Sequence, residues 1–192
     1  TKPLIRKADL IQKKFDLKKD GYILYLGRLV PEKGIRYLIE AYRKTDTEKR
    51  LVIAGGSSDT ESYMAELKKA ADGDDRILFT GFVQGEMLDE LYSNAYVYVL
   101  PSDLEGMPLS LLEAMSYGNC CLVSDISELT EVVEDRAVTF RKGDVADLRD
   151  KLQRLCSDGD MVRRYQNEAA GFVCGKYNWD DVVRRTLELY QG

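Results

Sequence analysis

The sequence predicts an α/β fold: a doubly wound, Rossmann-like six-stranded parallel sheet with helices on both faces. Six short runs are rich in apolar and β-branched residues, as buried parallel strands tend to be. Segments with the helical spacing of apolar residues separate these runs, and they are long enough for right-handed crossovers. A sheet of this kind binds ligands at the carboxyl ends of its strands.

The elements follow in order along the chain. Predicted strands cover residues 22–27, 50–54, 76–80, 96–100, 120–123 and 137–140. Predicted helices cover about 33–44, 60–71, 85–94, 108–117, 127–135, 144–157, 159–174 and 179–190. The first 20 residues carry one short charged helical pattern, at 8–15, and resemble a linker more than a core element. We therefore expect one domain over 21–192, since this length supplies one sizeable core.

Charge and hydropathy exclude several classes of protein. The net charge is -5 and no basic stretch dominates, which argues against a nucleic-acid partner. Seven Lys and Arg against two Asp in residues 1–19 fit a solvated helix face. No apolar run approaches the roughly 20 residues of a membrane span, and no secretory signal opens the sequence. We expect a soluble, cytoplasmic chain.

The residue types also limit the chemistry. Histidine is absent, which excludes Ser-His-Asp and Cys-His pairs and HExxH zinc sites within this chain. The cysteines lack metal-ligand spacing, so we expect reduced core thiols and no metal site; they are Cys120, Cys121, Cys156 and Cys174. Any reaction must therefore use carboxylates, cations, backbone amides or the substrate itself.

The loop after the first strand is residues 27–34 (GRLVPEKG). Gly27 permits a tight turn, and Arg28 and Lys33 can both lie over the carboxyl edge of the sheet, where two cations suit a diphosphate. The spacing alone favours an ordinary loop with two solvated charges. The loop matches neither the Walker pattern nor the GxGxxG dinucleotide fingerprint.

The loop after the second strand, residues 55–59 (GGSSD), precedes a predicted helix near residue 60. Gly56 and its neighbours could let the backbone approach a ligand or could simply form a turn. Ser58 or Asp59 is a candidate N-cap.

The fourth strand leads into residues 101–108 (PSDLEGMP) and then an apolar helix. Pro108 suits the first helical turn, and the helix start offers free N–H groups and a positive dipole end that attract anions. Glu113 lies about five residues into that helix, or ~7 Å along its axis. This is a suitable reach for a ribose.

Glu105 and Glu113 are separated by seven residues, but that spacing alone proves nothing. Glu32 with Glu40, and Glu40 with Glu48, share it. Only the 105/113 pair joins a glycine-containing loop at a strand end to an apolar helix. A glutamate among such apolar neighbours needs a partner if it is buried.

With these residues assembled, the chain resembles the C-terminal domain of glycosyltransferase family 4, also called group 1 glycosyltransferases, which have the GT-B fold. The resemblance covers about residues 21–190. Its motifs occur in the family's order: GRLVPEKG at 27–34, GFV at 81–83, VLPS at 99–102, EGMPLSLLEAM at 105–115, SD at 124–125, EVV at 131–133, and Trp179 with Tyr190.

The resemblance implies a role for each motif residue. Arg28 and Lys33 would bind the donor diphosphate and neutralise the leaving group, Glu105 would contact the transferred sugar near the reacting carbon, and Glu113 would bind the ribose hydroxyls. The implied catalytic residues are thus Glu105, Arg28 and Lys33. The implied donor-binding residues are these with Gly27, Gly56, Phe82, Val83, Gly106, Met107, Pro108, Leu109 and Glu113. The family transfers sugar with retention and needs no metal or other cofactor.

The resemblance also implies an N-terminal domain that is absent from this sequence. Family 4 enzymes bind the acceptor in an N-terminal domain, and residues 1–20 match the interdomain linker that follows it. The expected partners are a UDP- or GDP-sugar donor and, through the missing domain, an acceptor glycan or lipid. Any membrane contact, at the cytoplasmic face, would also use that domain. Alone, this chain should bind donor and transfer little.

The sequence departs from the family at two places that would contact the donor sugar. Many relatives have paired glycines at the positions of Ser127 and Glu128, and the usual Gly-Asp-Gly-like turn is here Gly55, Gly56 and Ser57. These departures concern the identity of the donor sugar and not the fold. Three other functions on related folds remain as alternatives: a non-catalytic nucleotide-sugar-binding regulatory module, a sugar-nucleotide epimerase or a phosphorylase. A nicotinamide dehydrogenase is more distant, because its glycine fingerprint is missing after the first strand.

Overall fold

The structure, a computed structural model, describes residues 2–56 and 61–177. The strands are β1 Tyr22–Leu26, β2 Arg50–Ala54, β3 Ile77–Gly81, β4 Val97–Leu100, β5 Cys120–Ser124 and β6 Val138–Phe140. The helices are α1 Leu10–Phe15, α2 Ile35–Arg43, α3 Glu61–Ala70, α4 Gly85–Asn94, α5 Leu109–Ser116, α6 Ser127–Val133, α7 Val145–Ser157 and α8 Gly159–Lys176. The six predicted strands are confirmed. The helix predicted at 179–190, with Trp179 and Tyr190, lies outside the described residues, as do Ser57, Ser58 and Asp59.

All six strands pair in parallel in the order β3-β2-β1-β4-β5-β6. The chain builds outward from β1 to β3 on one side, then crosses back to place β4 beside β1 and builds outward to β6 on the other. The direction of winding therefore changes between β1 and β4. This is the switch point at which a doubly wound sheet forms its binding crevice.

The core follows from the composition of the strands. Every residue of β1, β4 and β5 is buried, so these strands carry continuous apolar runs instead of alternating ones. Cys120 and Cys121 are free thiols with no exposed surface, and burial raises the pKa of Cys120 to about 12. Cys156 and Cys174 are also free but only partly buried. Within the described ranges, no helix has the length and hydropathy needed to cross a membrane.

The segment before β1 belongs to the core, so the prediction that it resembles a linker more than a core element is wrong. Ile11 and Leu17 are buried, and α1 packs on α4. The backbone N–H groups of Asp9 and Ile11 donate to Oε1 of Glu90 at 2.7 and 3.2 Å. Two buried apolar side chains among many charges give too weak a periodicity for the sequence to reveal this packing. An interdomain role for residues 1–20 stays a prediction.

The carboxyl edge of the sheet is tightly packed where β1 and β2 end. Gly55 has φ +139°, and a Cβ atom there would lie 1.9 Å from the carbonyl oxygen of Gly27. Leu29 N–H donates to the carbonyl of Gly56 at 3.2 Å. The first glycine after β2 is therefore required by the approach of two protein backbones, which accounts for it without a ligand.

Candidate functional site

The candidate site lies at the carboxyl edge of the sheet, around the switch point. The loop after β1 carries Arg28 and a 3-10 turn, Pro31–Lys33, and the loop after β4 carries Glu105. Asp103 N–H donates to the carbonyl of Glu32 at 2.9 Å, which ties the two loops together. Loops that are distant in sequence thus meet because β1 and β4 are neighbours.

Lys33 and Glu105 form a direct ion pair across this edge. The Lys33 Nζ atom lies 2.7 Å from Oε1 and 2.8 Å from Oε2 of Glu105. The side chain of Glu105 is 3% exposed and that of Lys33 is 19% exposed. The structure therefore brings together two of the predicted catalytic residues, and it pairs them with each other.

Two buried serines that were not among the predicted site residues support Glu105, one directly and one through the other. Ser102 Oγ donates to Oε1 of Glu105 at 3.1 Å. Ser124, at the end of β5, donates from its Oγ to the carbonyl of Ser102 at 2.6 Å. Both serines have no exposed surface. Ser102 lies two residues after β4, and Ser124 is the last residue of β5. This position at the end of a buried strand was the one available sequence signal, and both serines lie in motifs that carry the family resemblance.

Among the described residues, Lys33 has a charged partner and Arg28 has none. The residue is exposed, and its side chain has no hydrogen bond or ion pair within residues 2–56 and 61–177. Its carbonyl accepts a hydrogen bond from the hydroxyl of Tyr25 at 2.7 Å, which fixes the backbone of the loop. Arg28 is thus exposed at the strand edge, which fits both a diphosphate-binding cation and an ordinary solvated charge.

Glu113 is buried on α5, and its Oε2 atom lacks a hydrogen-bond partner among the described residues. Burial raises the pKa of this carboxyl to about 7, and the negative charge of Asp89 acts in the same direction. A hydrogen bond from Tyr92 opposes these effects. Because an unsatisfied buried acceptor is costly, this carboxylate is suited to accept hydrogen bonds from a ligand.

Two residues of α4, Asp89 and Tyr92, act on Glu113, and the sequence predicted only the helix that carries them. Tyr117 donates its hydroxyl to Oδ1 of Asp89 at 2.6 Å and stacks on Tyr92, with ring centroids 5.1 Å apart. Arg6 Nε lies 3.5 Å from Oδ2 of Asp89. The environment of Glu113 therefore depends on three separate parts of the chain.

The start of α5 corrects one prediction. The helix begins at Leu109, and Pro108 is its N-cap residue. Leu109 N–H donates to the Met107 carbonyl at 2.9 Å, and the N–H groups of Leu111 and Leu112 both donate to the Pro108 carbonyl at 3.1 Å. Two of the N–H groups expected to be free at this helix start, those of Leu109 and Leu111, are therefore already engaged.

The remaining predicted residues divide into exposed and buried ones. Phe82 follows β3 and is 57% exposed, whereas Val83 is buried. Gly106 and Met107 are exposed on the loop before α5. Gly27 is partly buried at the end of β1. These residues follow the ends of β1, β3 and β4, all at one edge of the parallel sheet.

A second concave surface lies away from these residues, between α2 and α3. It has a volume of about 580 Å³ and is lined by Arg36, Glu40, Arg43, Lys44, Glu66, Lys69 and Ala70. Arg36 pairs with Glu40 and with Glu66. The groove carries charges of both signs, and three of them, those of Arg36, Glu40 and Glu66, are engaged in ion pairs.

Comparison with known proteins places the chain in a family. The model of the family described as glycosyl transferases group 1 matches residues 7–172. The chain belongs to the group 1 glycosyltransferases. Curated relatives of this glycosyltransferase include an uncharacterised glycosyltransferase of Methanocaldococcus jannaschii, 31% identical over 172 residues, with 88% of this chain and 44% of that protein covered. The O-antigen chain mannosyltransferase B of Escherichia coli is 29% identical over 185 residues, with 94% and 48% covered.

Solved structures show the same fold for this glycosyltransferase. Sucrose-phosphate synthase of Thermosynechococcus elongatus matches with a TM-score of 0.77 and 25% identity, over 97% of this chain and 49% of that one. Anabaena HepE, solved in complex with UDP and glucose, matches with a TM-score of 0.81 and 16% identity, over 95% and 51%. These neighbours are GT-B glycosyltransferases. The chain spans about half the length of the curated relatives it matches.

Proposed function

We propose that this chain is the C-terminal, donor-binding half of a retaining glycosyltransferase. The whole enzyme would transfer a hexose-type sugar from a UDP- or GDP-sugar to an acceptor glycan, lipid or polysaccharide precursor. The observation that carries the proposal is the Oε2 atom of Glu113, a buried acceptor without a hydrogen-bond partner in the described chain, on the helix that follows the switch-point loop.

Each group at the strand edge has a task in this proposal. The exposed guanidinium of Arg28 and the ammonium of Lys33 bind the diphosphate and stabilise the charge that develops on it as the sugar leaves. Glu105 contacts the sugar near the reacting carbon. Glu113 accepts hydrogen bonds from the ribose hydroxyls. The two cations supply the electrostatic stabilisation for which other transferases use a metal ion.

The base and the acceptor complete the proposed assignment. The nucleobase of the donor lies against the backbone after β3, where Phe82 is an exposed apolar residue. The acceptor lies on a second domain, as the half-length match to the relatives suggests. One relative is named as a mannosyltransferase and one structural neighbour was solved with UDP and glucose, which supports a nucleotide-sugar donor. The isolated chain should bind donor and transfer little.

Thermal-shift screening of the 192-residue chain against UDP-, GDP- and ADP-sugars tests the proposal. A ligand at a hundredfold excess over its dissociation constant stabilises the folded state by about 2.7 kcal/mol, a shift large enough to measure. We expect stabilisation by the UDP- or the GDP-sugar and none by free glucose. A melting temperature that no nucleotide sugar changes would contradict donor binding.

A further inference from the structure

Two functions compete for Lys33. Its ammonium donates to both carboxylate oxygens of Glu105, at 2.7 and 2.8 Å, and the carboxylate is almost wholly buried. Charge-assisted hydrogen bonds of this length are among the stronger contacts in a protein. A diphosphate that takes a hydrogen bond from Lys33 must therefore weaken or replace the contact with Glu105.

Among the described residues, the Glu105 carboxylate has one hydrogen-bond donor other than Lys33. Apart from Lys33, the donor that the structure gives it is the hydroxyl of Ser102, at 3.1 Å from Oε1. Ser102 is held in place by Ser124, whose hydroxyl donates to the Ser102 carbonyl. If Lys33 turns to a diphosphate, the carboxylate keeps one hydrogen bond and a buried charge beside two phosphates. Such a charge is costly without compensation.

An intact donor and a bare nucleoside diphosphate differ in the hydrogen-bond donors they can offer to Glu105. The sugar of an intact donor carries hydroxyl groups that can donate to Glu105 in place of Lys33. A bare nucleoside diphosphate carries none at that position. We propose that the Lys33–Glu105 ion pair makes the site favour the intact nucleotide sugar over the nucleoside diphosphate that remains after transfer, an inference that rests on the proposed function. The return of Lys33 to Glu105 then helps the product to leave.

The Glu105→Gln substitution tests this directly, because glutamine keeps the shape of the side chain and removes its charge. Calorimetry with the 192-residue chain would use four probes: UDP, GDP, UDP-glucose and GDP-mannose. For the nucleoside diphosphate that the wild type binds, we expect about threefold to tenfold tighter binding by the variant. The corresponding nucleotide sugar should gain less, so the preference for intact donor should fall.

Three further variants separate this effect from others. Glu32→Gln removes the same charge from an exposed residue of the same turn, next to Lys33, and should change the affinity by less than about twofold. Glu105→Ala should tighten diphosphate binding in the same direction even if the glutamine variant folds poorly. Lys33→Met should weaken diphosphate binding more in the Glu105→Gln background than in the wild type. Urea unfolding establishes that each variant is folded.

The outcomes are distinct. Tighter diphosphate binding by both Glu105 variants, with Glu32→Gln unchanged, supports the inference. Unchanged or weaker diphosphate binding by folded Glu105 variants overturns it and leaves donor binding intact. An equal gain from Glu32→Gln also overturns it, because general charge removal would then explain the effect. Failure of the wild type to bind any of the four probes overturns both this inference and the proposed function.

Discussion

Gly34 lies directly against the carbonyl oxygen of Pro101, so that a Cβ atom at position 34 would be only 2.0 Å from it. The glycine has φ +71° and ends the turn that carries Lys33, while Pro101 begins the loop that carries Glu105. The close approach of these two backbones brings the cation within hydrogen-bonding distance of the carboxylate.

Gly34→Ala should therefore destabilise the chain by more than about 2 kcal/mol, because a backbone atom blocks the new methyl group and the positive φ disfavours alanine. Urea unfolding measures the change. Gly171→Ala is the matched control, since Gly171 lies within α8 with nothing within 4 Å of its would-be Cβ. That control should be neutral or stabilising by up to about 1 kcal/mol. Equal effects of the two substitutions would show that the Pro101 contact is unimportant.

Arg28→Ala should weaken the binding of UDP or GDP by roughly tenfold to a hundredfold, because it removes a charge-assisted contact worth about 1.5 to 3 kcal/mol. The stability of the chain should change little, since the side chain is exposed. Isothermal calorimetry measures the affinity, and Arg163→Ala, an exposed arginine on α8, is the control. An unchanged affinity would show that Arg28 does not bind the diphosphate.

The raised pKa of Glu113 predicts how stability depends on pH. Between its ordinary value of 4.5 and about 7, the folded state holds more protons than the unfolded state. The free energy of unfolding should therefore fall as pH rises through this window. Glu113→Gln does not titrate, so its stability relative to the wild type should rise by about 3 kcal/mol from pH 4.5 to pH 8. Parallel stability curves for the two proteins, from urea unfolding without nucleotide, would contradict the raised pKa.

Glu113 should also control nucleoside binding. Glu113→Ala should weaken the binding of nucleosides as well as nucleoside diphosphates, because both contain the ribose that Glu113 is proposed to contact. Ribose hydroxyls donate to the ionised carboxylate, so the affinity for uridine or guanosine should rise as pH increases through about 7. This dependence should be absent in Glu113→Gln, and calorimetry at several pH values measures it. A loss seen only with the intact sugar donor would contradict the ribose role.

Glu105→Ala in an enzyme that contains both halves should lower turnover without weakening the binding of the bare nucleoside diphosphate, because Glu105 is proposed to contact the sugar. Steady-state transfer assays and calorimetry on the same preparation measure the two effects. Glu32→Ala, at an exposed position of the neighbouring loop, should change neither. A loss of nucleotide affinity as large as the loss of turnover would contradict a contact between Glu105 and the sugar.

Local patterns in the sequence were enough to predict the sheet and the loops that bear chemistry. The continuous apolar runs of β1 and β4 identify buried parallel strands, whose spacing by helices implies crossovers. A parallel sheet places the carboxyl ends of all its strands at one edge. Arg28, Lys33 and Glu105 could therefore be assigned to that edge without coordinates, since each lies in a loop directly after a strand.

Only the tertiary structure decided which of these residues touch. Lys33 and Glu105 are 72 residues apart in sequence, and they pair because β1 and β4 are neighbours at the switch point. The support of Ser102 by Ser124, the charge of Asp89 beside Glu113 and the docking of Ile11 on the core depend on the same long-range packing. Periodicity reports which face of an element is buried, whereas hydrogen-bond partners and pKa values depend on the neighbours that folding brings together.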